Sequence, residues 1–412
     1  MPRRISPLLL FGVVPALVGC GSADARNFVA SSDAELKSAV AAARSGDRID
    51  LAPGSYAPLI ISGRKLEGAP VVINGKNALI AHVQIFDSAG WTLQGLEIGG
   101  SFDNRGRIVR IENSQSIRLA NNLIRGQILN NDPWDDKGVG IGLRGVSGVA
   151  IVGNRVREVA LTLQAGSSRD ITVSGNSIAY VREGINWVAV DGGKIRCNRF
   201  SHFMPNYANK EHPDAIQAWQ NKDGNSNNLL IEGNFISLGG PRAVHGMLLT
   251  GTQKPEIDPS MRIRNLVIRD NIYYGSALHG ISLVGAENAL VENNTVLGSD
   301  HVETQPVPAR SADGRESSAL VPKIRIIGDT SSGRFVNNIA TSFTIPPTVE
   351  GQNNLTVQVR RNSATPLKKV FLNPPQGSDP PLEAFTVNPN SAAGKAGQGA
   401  RLICGAELPP AA

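Results

Sequence analysis

Val152-Gly153-Asn154, Val173-Ser174-Gly175-Asn176, Ile195-Arg196-Cys197-Asn198 and Ile231-Glu232-Gly233-Asn234 are copies of one phrase, an alternating apolar run that closes on asparagine. Leu119-Ala120-Asn121-Asn122 precedes them, and Ile268-Arg269-Asp270-Asn271 and Val291-Glu292-Asn293-Asn294 follow. The closing asparagines lie 32, 22, 22, 36, 37 and 23 positions apart, so a unit near 22 recurs with its insertions in the middle. Short β-rich alternation, almost no helical periodicity and 44 glycines for corners match one coil of a parallel β-helix. Strands of successive coils then pair about 4.8 Å apart, and parallel crossovers within one sheet are right-handed. The expected fold is all-β, a right-handed parallel β-helix. Each repeated Asn is expected at a bend, bonding backbone of its own turn and of the next coil.

A chain of 412 residues could hold two or three domains, yet a solenoid buries one continuous core and can absorb the whole length. One β-helix domain is expected over residues 26–345, with a proline-rich irregular segment, 346–412, packed against it. The balance of 41 Lys+Arg against 35 Asp+Glu gives +6, which tolerates an acidic partner such as an acidic polysaccharide. No basic run alternates with aromatics, so the pattern of a nucleic-acid-binding surface is missing. A monomer is expected.

Residues 1–25 read as an export signal, with Arg3 and Arg4, an apolar stretch from Leu8 to Leu17, and then Leu17-Val18-Gly19-Cys20. This last run resembles the lipobox of bacterial lipoproteins, which implies lipidation of Cys20 and a periplasmic or outer-membrane location. Cleavage after Ala25, at Ala23-Asp24-Ala25, is the alternative and would release a soluble exported protein. The membrane is met only through that anchor, because no later segment approaches the ~20 apolar residues of a spanning helix. Beside Cys20 stand Cys197 and Cys404. An exported setting permits their pairing, but Cys197 reads as a core position, and two free buried thiols are expected.

Residues 31–46 form the one convincing amphipathic helix: Ser or Asp caps its start, Leu36, Val40 and Ala43 share a face, and Gly46 ends it. A β-helix needs its open end covered, so this segment is expected as the N-terminal cap. Asp47-Arg48-Ile49-Asp50-Leu51-Ala52-Pro53-Gly54-Ser55-Tyr56, Pro70-Val71-Val72-Ile73-Asn74-Gly75 and the strand ending Gly95-Leu96-Glu97-Ile98 follow. Together with the helix they resemble the N-terminal part of the chondroitinase B and alginate lyase family. The resemblance spans about residues 30–100 and implies a β-helix acting on polysaccharide. The catalytic segment of that family has no clear counterpart here, so none of its residues is carried over.

A second repeat bears on chemistry. It reads Gly140-Ile141-Gly142-Leu143, Ala160-Leu161-Thr162-Leu163, Gly184-Ile185-Asn186-Trp187, Ala215-Ile216-Gln217-Ala218, Gly246-Met247-Leu248-Leu249 and Gly280-Ile281-Ser282-Leu283. The residues just before these quartets are Val139, Val159, Glu183, Asp214, His245 and His279. Stacked one coil apart, the four titratable groups would form a row whose members shift one another's pKa values, as acid/base work near neutrality requires. The bland alternative is a solvated polar ladder at a turn. His212 and Asp214 flank Pro213, and Gln217 and Trp219 follow with strand alternation. Long insertions on a solenoid build its binding face, and the longest coils here surround these residues. The candidate catalytic residues are therefore His212, Asp214, His245 and Glu183, with Arg242, Lys210, Gln217, Trp219, His279 and Asn186 as substrate contacts.

Two mechanisms fit the row. In β-elimination from a uronate polymer, His212 or His245 serves as base, Asp214 orients an imidazole, and Arg242 or Lys210 neutralises the substrate carboxylate. In hydrolysis, Glu183 and Asp214 act as a carboxylate pair. The order Glu183-Gly184-Ile185, Asp214-Ala215-Ile216, His245-Gly246-Met247 is similar to that of polygalacturonases, although their paired Asp-Asp is absent at Pro213-Asp214. His212-Pro213-Asp214 resembles, in inverted order, the Asp-Pro-His of alginate C5-epimerases. A non-enzymatic protein that binds envelope polysaccharide is the remaining alternative. Calcium could bridge carboxylates, but no zinc site is expected, for want of a Cys/His cluster.

Overall fold

The computed structural model describes residues 25–100, 106–206, 211–220, 224–237, 244–251, 261–299, 322–328, 330–357, 365–405 and 408–409. The chain winds as a right-handed parallel β-helix. Arg107–Glu112, Gln115–Ala120 and Leu123–Arg125 make one coil, and they pair in parallel with Val139–Arg144, Ser147–Val152 and Arg155–Arg157 of the next. Where the repeat is tightest, strands run on through the corners as Val159–Ser174 and Ser177–Asp191.

Stacking aligns side chains of equal rank into columns, and the core is a bundle of such columns. One of them reads Ile85, Ile111, Leu143, Ala165, Trp187, Ala218, Leu249 and Leu283, each in register with its neighbour. Trp187 is fully buried, and the alanines above and below compensate its bulk. Gly193 completes the space, since a Cβ there would run into the indole.

The repeated asparagine forms a continuous ladder through Asn122, Asn154, Asn176, Asn198, Asn234, Asn271, Asn294, Asn338 and Asn354. Asn176 shows the pattern: its backbone N–H donates to Asn198 Oδ1 at 3.0 Å, and its Nδ2 donates to Asn198 Oδ1 at 2.9 Å and to Ile151 O at 2.9 Å. The residue before each ladder Asn takes a left-handed conformation: Asn121, Gly153, Gly175, Cys197, Gly233, Asp270 and Asn293 all have φ between 53° and 67°. That requirement explains the Gly and Asn of the phrase.

It also corrects the reading of Cys197. Cys197 is fully buried, as expected, but not as a free thiol: it sits at a corner and is joined in a disulfide to Cys404, 207 residues later, with Cα atoms 5.6 Å apart. The segment bearing Cys404 runs along the same corner column in the opposite sense. Arg401 grips Asp270 through Nε and Nη2 at 2.7 and 2.6 Å, Asn293 Nδ2 donates to Gly397 O at 2.8 Å, and Gln398 Nε2 to Asn353 O at 2.9 Å. Beneath it, Phe385 packs edge-on against Phe235 and Tyr274 in a second apolar cluster.

The coils continue past the expected boundary at 345. Glu350–Gln352 and Leu355–Thr356 pair with Ser331–Val336 and Ile339–Ala340, and Asn354 extends the ladder. The prolines at 346 and 347 lie between strands, so they do not stop the winding. At the other end, the cap is the helix Asp33–Ala42, whose Leu36, Ala39 and Val40 are buried. Ser32 Oγ caps the helix by accepting from Glu35 N, and Glu35 Oε2 reaches back to accept from Ser31 N, one residue before the cap. The helix stops short of Gly46, and Asp47 Oδ2 then takes the Arg44 N–H at 2.7 Å. Arg26 holds the Asp47 carboxyl well below its ordinary range, at about 2. Among the described residues no helix is long and apolar enough to cross a membrane.

Candidate functional site

Parallel register builds the titratable row. Ile185 pairs with Ile216, which sets Glu183 level with Asp214; Asp214 pairs with His245, and Met247 with Ile281, which brings His279 to the next level. Two features of this column escape a reading by quartets. Leu161, not Val159, pairs with Val139 and Glu183, so that coil is offset by two residues. At the far end Lys323 pairs with His279 and adds a cation to the column.

These residues share strand parity with core positions; Asp214, His245 and His279 are the first residues of Asp214–Trp219, His245–Thr250 and His279–Val284, whereas Glu183 lies within Ser177–Asp191. Asp214 is only 2% exposed and His279 5%, whereas Glu183 and His245 are half-buried. The glycine after the first of them is obligatory, because a Cβ on Gly184 would collide with the Ala215 carbonyl of the next coil.

His212 Nδ1 lies 3.0 Å from Asp214 Oδ2, and the ring is 37% exposed. An ionised carboxylate only accepts, so against Asp214 the His212 proton lies on Nδ1. His245 is held the opposite way: its Nδ1 accepts from the His279 backbone N–H at 3.1 Å, which places the proton of the neutral ring on Nε2. The two rings stack with centroids 4.5 Å apart. His279 meets both, at 4.3 Å from His245 and 5.7 Å from His212, while its Nδ1 lies 2.7 Å from Ser282 Oγ.

Burial, helped by the charge of Asp214, pushes the Glu183 carboxyl up to about 7. Asp214 is raised by its complete burial, against the downward pull of His212, and its Oδ1 has no hydrogen-bond partner among the described residues. Glu211 pins the approach to His212: Oε1 takes Arg182 Nη1 at 2.7 Å and Oε2 takes Asn206 N at 2.6 Å.

On the adjoining outer face Asn186 pairs with Gln217, and Trp219, 44% exposed, donates Nε1–H to Asn186 Oδ1 at 2.6 Å. The structure thus brings together Glu183, His212, Asp214, His245 and His279, with Asn186, Gln217 and Trp219 beside them. Lys210, Arg242 and Cys20 lie outside the described residues. Ser282, Glu211 and Lys323 were missed by the sequence reading. Lys323 reaches the column through a register shift between His279 and Ile281, so the quartet rule extended by one coil would have pointed to Pro322 instead.

The absence of a Cys/His cluster expected from sequence is overturned. His212, His245 and His279 offer ligand nitrogens that all lie within 4.8 Å of one another. They are 33 and 34 residues apart, a coil length widened by insertions, so no local ligand spacing announces them.

The family described as "Periplasmic copper-binding protein (NosD)" matches residues 60–240, less than half of the chain. No curated protein matches in sequence. Among solved structures, the PL6 family alginate lyase AlyGC is similar with a TM-score of 0.47 at 13% identity, over 91% of this chain and 58% of its own. The chain therefore spans less than two thirds of that enzyme's length. An alginate lyase from Paenibacillus sp. str. FPU-7 gives 0.45 at 14% identity, covering 80% of this chain and 98% of its own. Pectate lyase Pel9A gives 0.42 at 13%, covering 90% and 91%. Similarity at this level concerns the winding and not the chemistry.

Proposed function

We propose that the chain is an exported β-helix enzyme that cleaves a uronate-containing polysaccharide by β-elimination. The observation that carries this reading is the complementary proton placement on two stacked imidazoles. His212, held by Asp214, carries its proton on Nδ1, and His245, whose Nδ1 accepts from the His279 backbone, carries its own on Nε2.

An elimination needs both. His212 Nε2 removes the proton beside the uronate carboxylate, the electron pair forms the C4–C5 double bond, and the C4–O bond breaks. The departing oxygen takes the proton from His245 Nε2 and becomes a new reducing end. Glu183, poised at about 7, can share a proton with the substrate carboxylate and so acidify the adjacent carbon. Trp219, Asn186 and Gln217 offer an apolar face and amides to the sugar rings. The periplasmic setting in the NosD description agrees with the export signal read at residues 1–25.

Hydrolysis by Glu183 and Asp214 is the weaker reading, because Asp214 is only 2% exposed and one of its oxygens is engaged by His212. The test is absorbance of the conjugated unsaturated uronate during incubation with alginate, pectate and glycosaminoglycans. A rise with one polymer is expected. New reducing ends without that absorbance would replace elimination by hydrolysis, and binding with neither signal would leave a polysaccharide-binding protein.

A further inference from the structure

Three imidazoles from successive coils converge at His212, His245 and His279, with their ligand nitrogens within 4.8 Å of one another. Two of the rings have an oxygen behind them, Asp214 Oδ2 on His212 and Ser282 Oγ on His279. Such partners orient imidazoles toward a metal and raise their basicity. A set of three nitrogen donors suits a zinc- or copper-class divalent ion, whereas calcium and magnesium demand oxygen.

We infer that this cluster binds one zinc- or copper-class ion, and that the ion and the acid/base pair exclude each other. An ion on His212 Nε2 occupies the lone pair that would otherwise take a proton. To ligate through Nε2, His245 must move its proton to Nδ1 and give up the bond from His279 N–H. The cluster is therefore a weaker site than a closed structural zinc centre. Metal–nitrogen bonds of about 2.0–2.1 Å bring tetrahedral ligands to roughly 3.3 Å from one another. The rings must close in slightly, which the half-buried His212 and His245 can do by side-chain rotation. Three protein ligands leave a fourth position open. The inference stands on the placement of the rings and does not rest on the catalytic reading.

The experiment is calorimetric titration of the chelator-stripped full-length protein with Zn2+ and with Cu2+, joined to histidine ring NMR. One ion per chain and perturbation of three histidine ring spectra are expected. His212→Ala and His279→Ala should each weaken binding at least about tenfold. The first side chain is partly exposed, and the second substitution keeps the backbone N–H that serves His245, so at least one variant remains folded, as circular dichroism will verify. No binding, or equal affinity in both variants, would overturn the site. Any elimination activity is assayed separately with chelator present, where it should persist and then fall on adding one equivalent of Zn2+. Loss of activity in chelator would overturn the mutual exclusion, while the binding result would stand.

Discussion

The asparagine ladder and the titratable row are built by the same operation, the stacking of one polar position on successive coils, and they end in opposite physical states. Along the ladder the amides from Asn122 to Asn338 are buried and met: Asn198 takes Asn176 N and Nδ2 and gives Nδ2–H to Val173 O on the side of the preceding coil, and gives Nδ2–H to Asn234 Oδ1 on the side of the next. In the row, Asp214 keeps an unmet oxygen and Glu183 is pushed to about 7. An amide carries both donors and acceptors, so identical residues satisfy one another without limit. Carboxylates cannot, and their neighbours must be imidazoles or protons. Repetition therefore yields stability where the side chain is self-complementary, and reactivity where it is not.

The sharpest way to break this contrast is His212→Ala. Turnover on the polymer identified by the absorbance assay should fall by about 10²–10⁴, the usual worth of a positioned general base, with only a modest loss of thermal stability, because the ring is partly exposed although Asp214 loses its partner. An equal loss of stability would make the row structural after all. Next in size, Asn198→Ala should destabilise the fold by about 2–4 kcal/mol, since it leaves buried groups of two coils unmet. Urea unfolding of the purified variant measures this, and a change below about 0.5 kcal/mol would deny the ladder its role.

Glu183→Gln gives the smallest effect and reverses the sign. A carboxyl whose folded pKa is raised from 4.5 to about 7 loses stability for the protein as pH climbs through that interval. Glutamine should therefore be more stable than the parent above pH 7, by about 1–2 kcal/mol, while kcat/KM drops. In the parent, kcat/KM should decline as pH rises through about 7 when Glu183 loses its proton, and the variant should lose that limb of the profile. Melting curves and rates across pH read both effects, and an unshifted profile would remove Glu183 from the reaction.

The winding was legible in sequence because a left-handed corner followed by a ladder Asn leaves few choices of residue, and that narrowness makes the phrase visible. The column of Glu183, Asp214, His245 and His279 was legible for the same reason, through the small residue and apolar alternation after each. What escaped had no local signature. The three-histidine cluster depends on insertions whose lengths happen to return each ring to one corner. Cys197 reads as a buried free thiol because its neighbours at equivalent positions, Gly175 and Gly233, have no side chain to reveal a partner there. The coil around Leu161 slipped by two residues because a shift of two preserves the inside–outside pattern and so leaves no trace in hydrophobicity.

The antiparallel segment that ends at Cys404 changes how the solenoid can come apart. A stack whose units touch only their neighbours can fray one coil at a time from either end. Here a clasp spans from the level of Asn353 to that of Cys197, so the coils between them must open together or not at all. Cys404 is also synthesised long after Cys197, and the covalent lock closes only when nearly all of the coils it secures have been made. The chain thus winds forward in repeats and is sealed backward in one step.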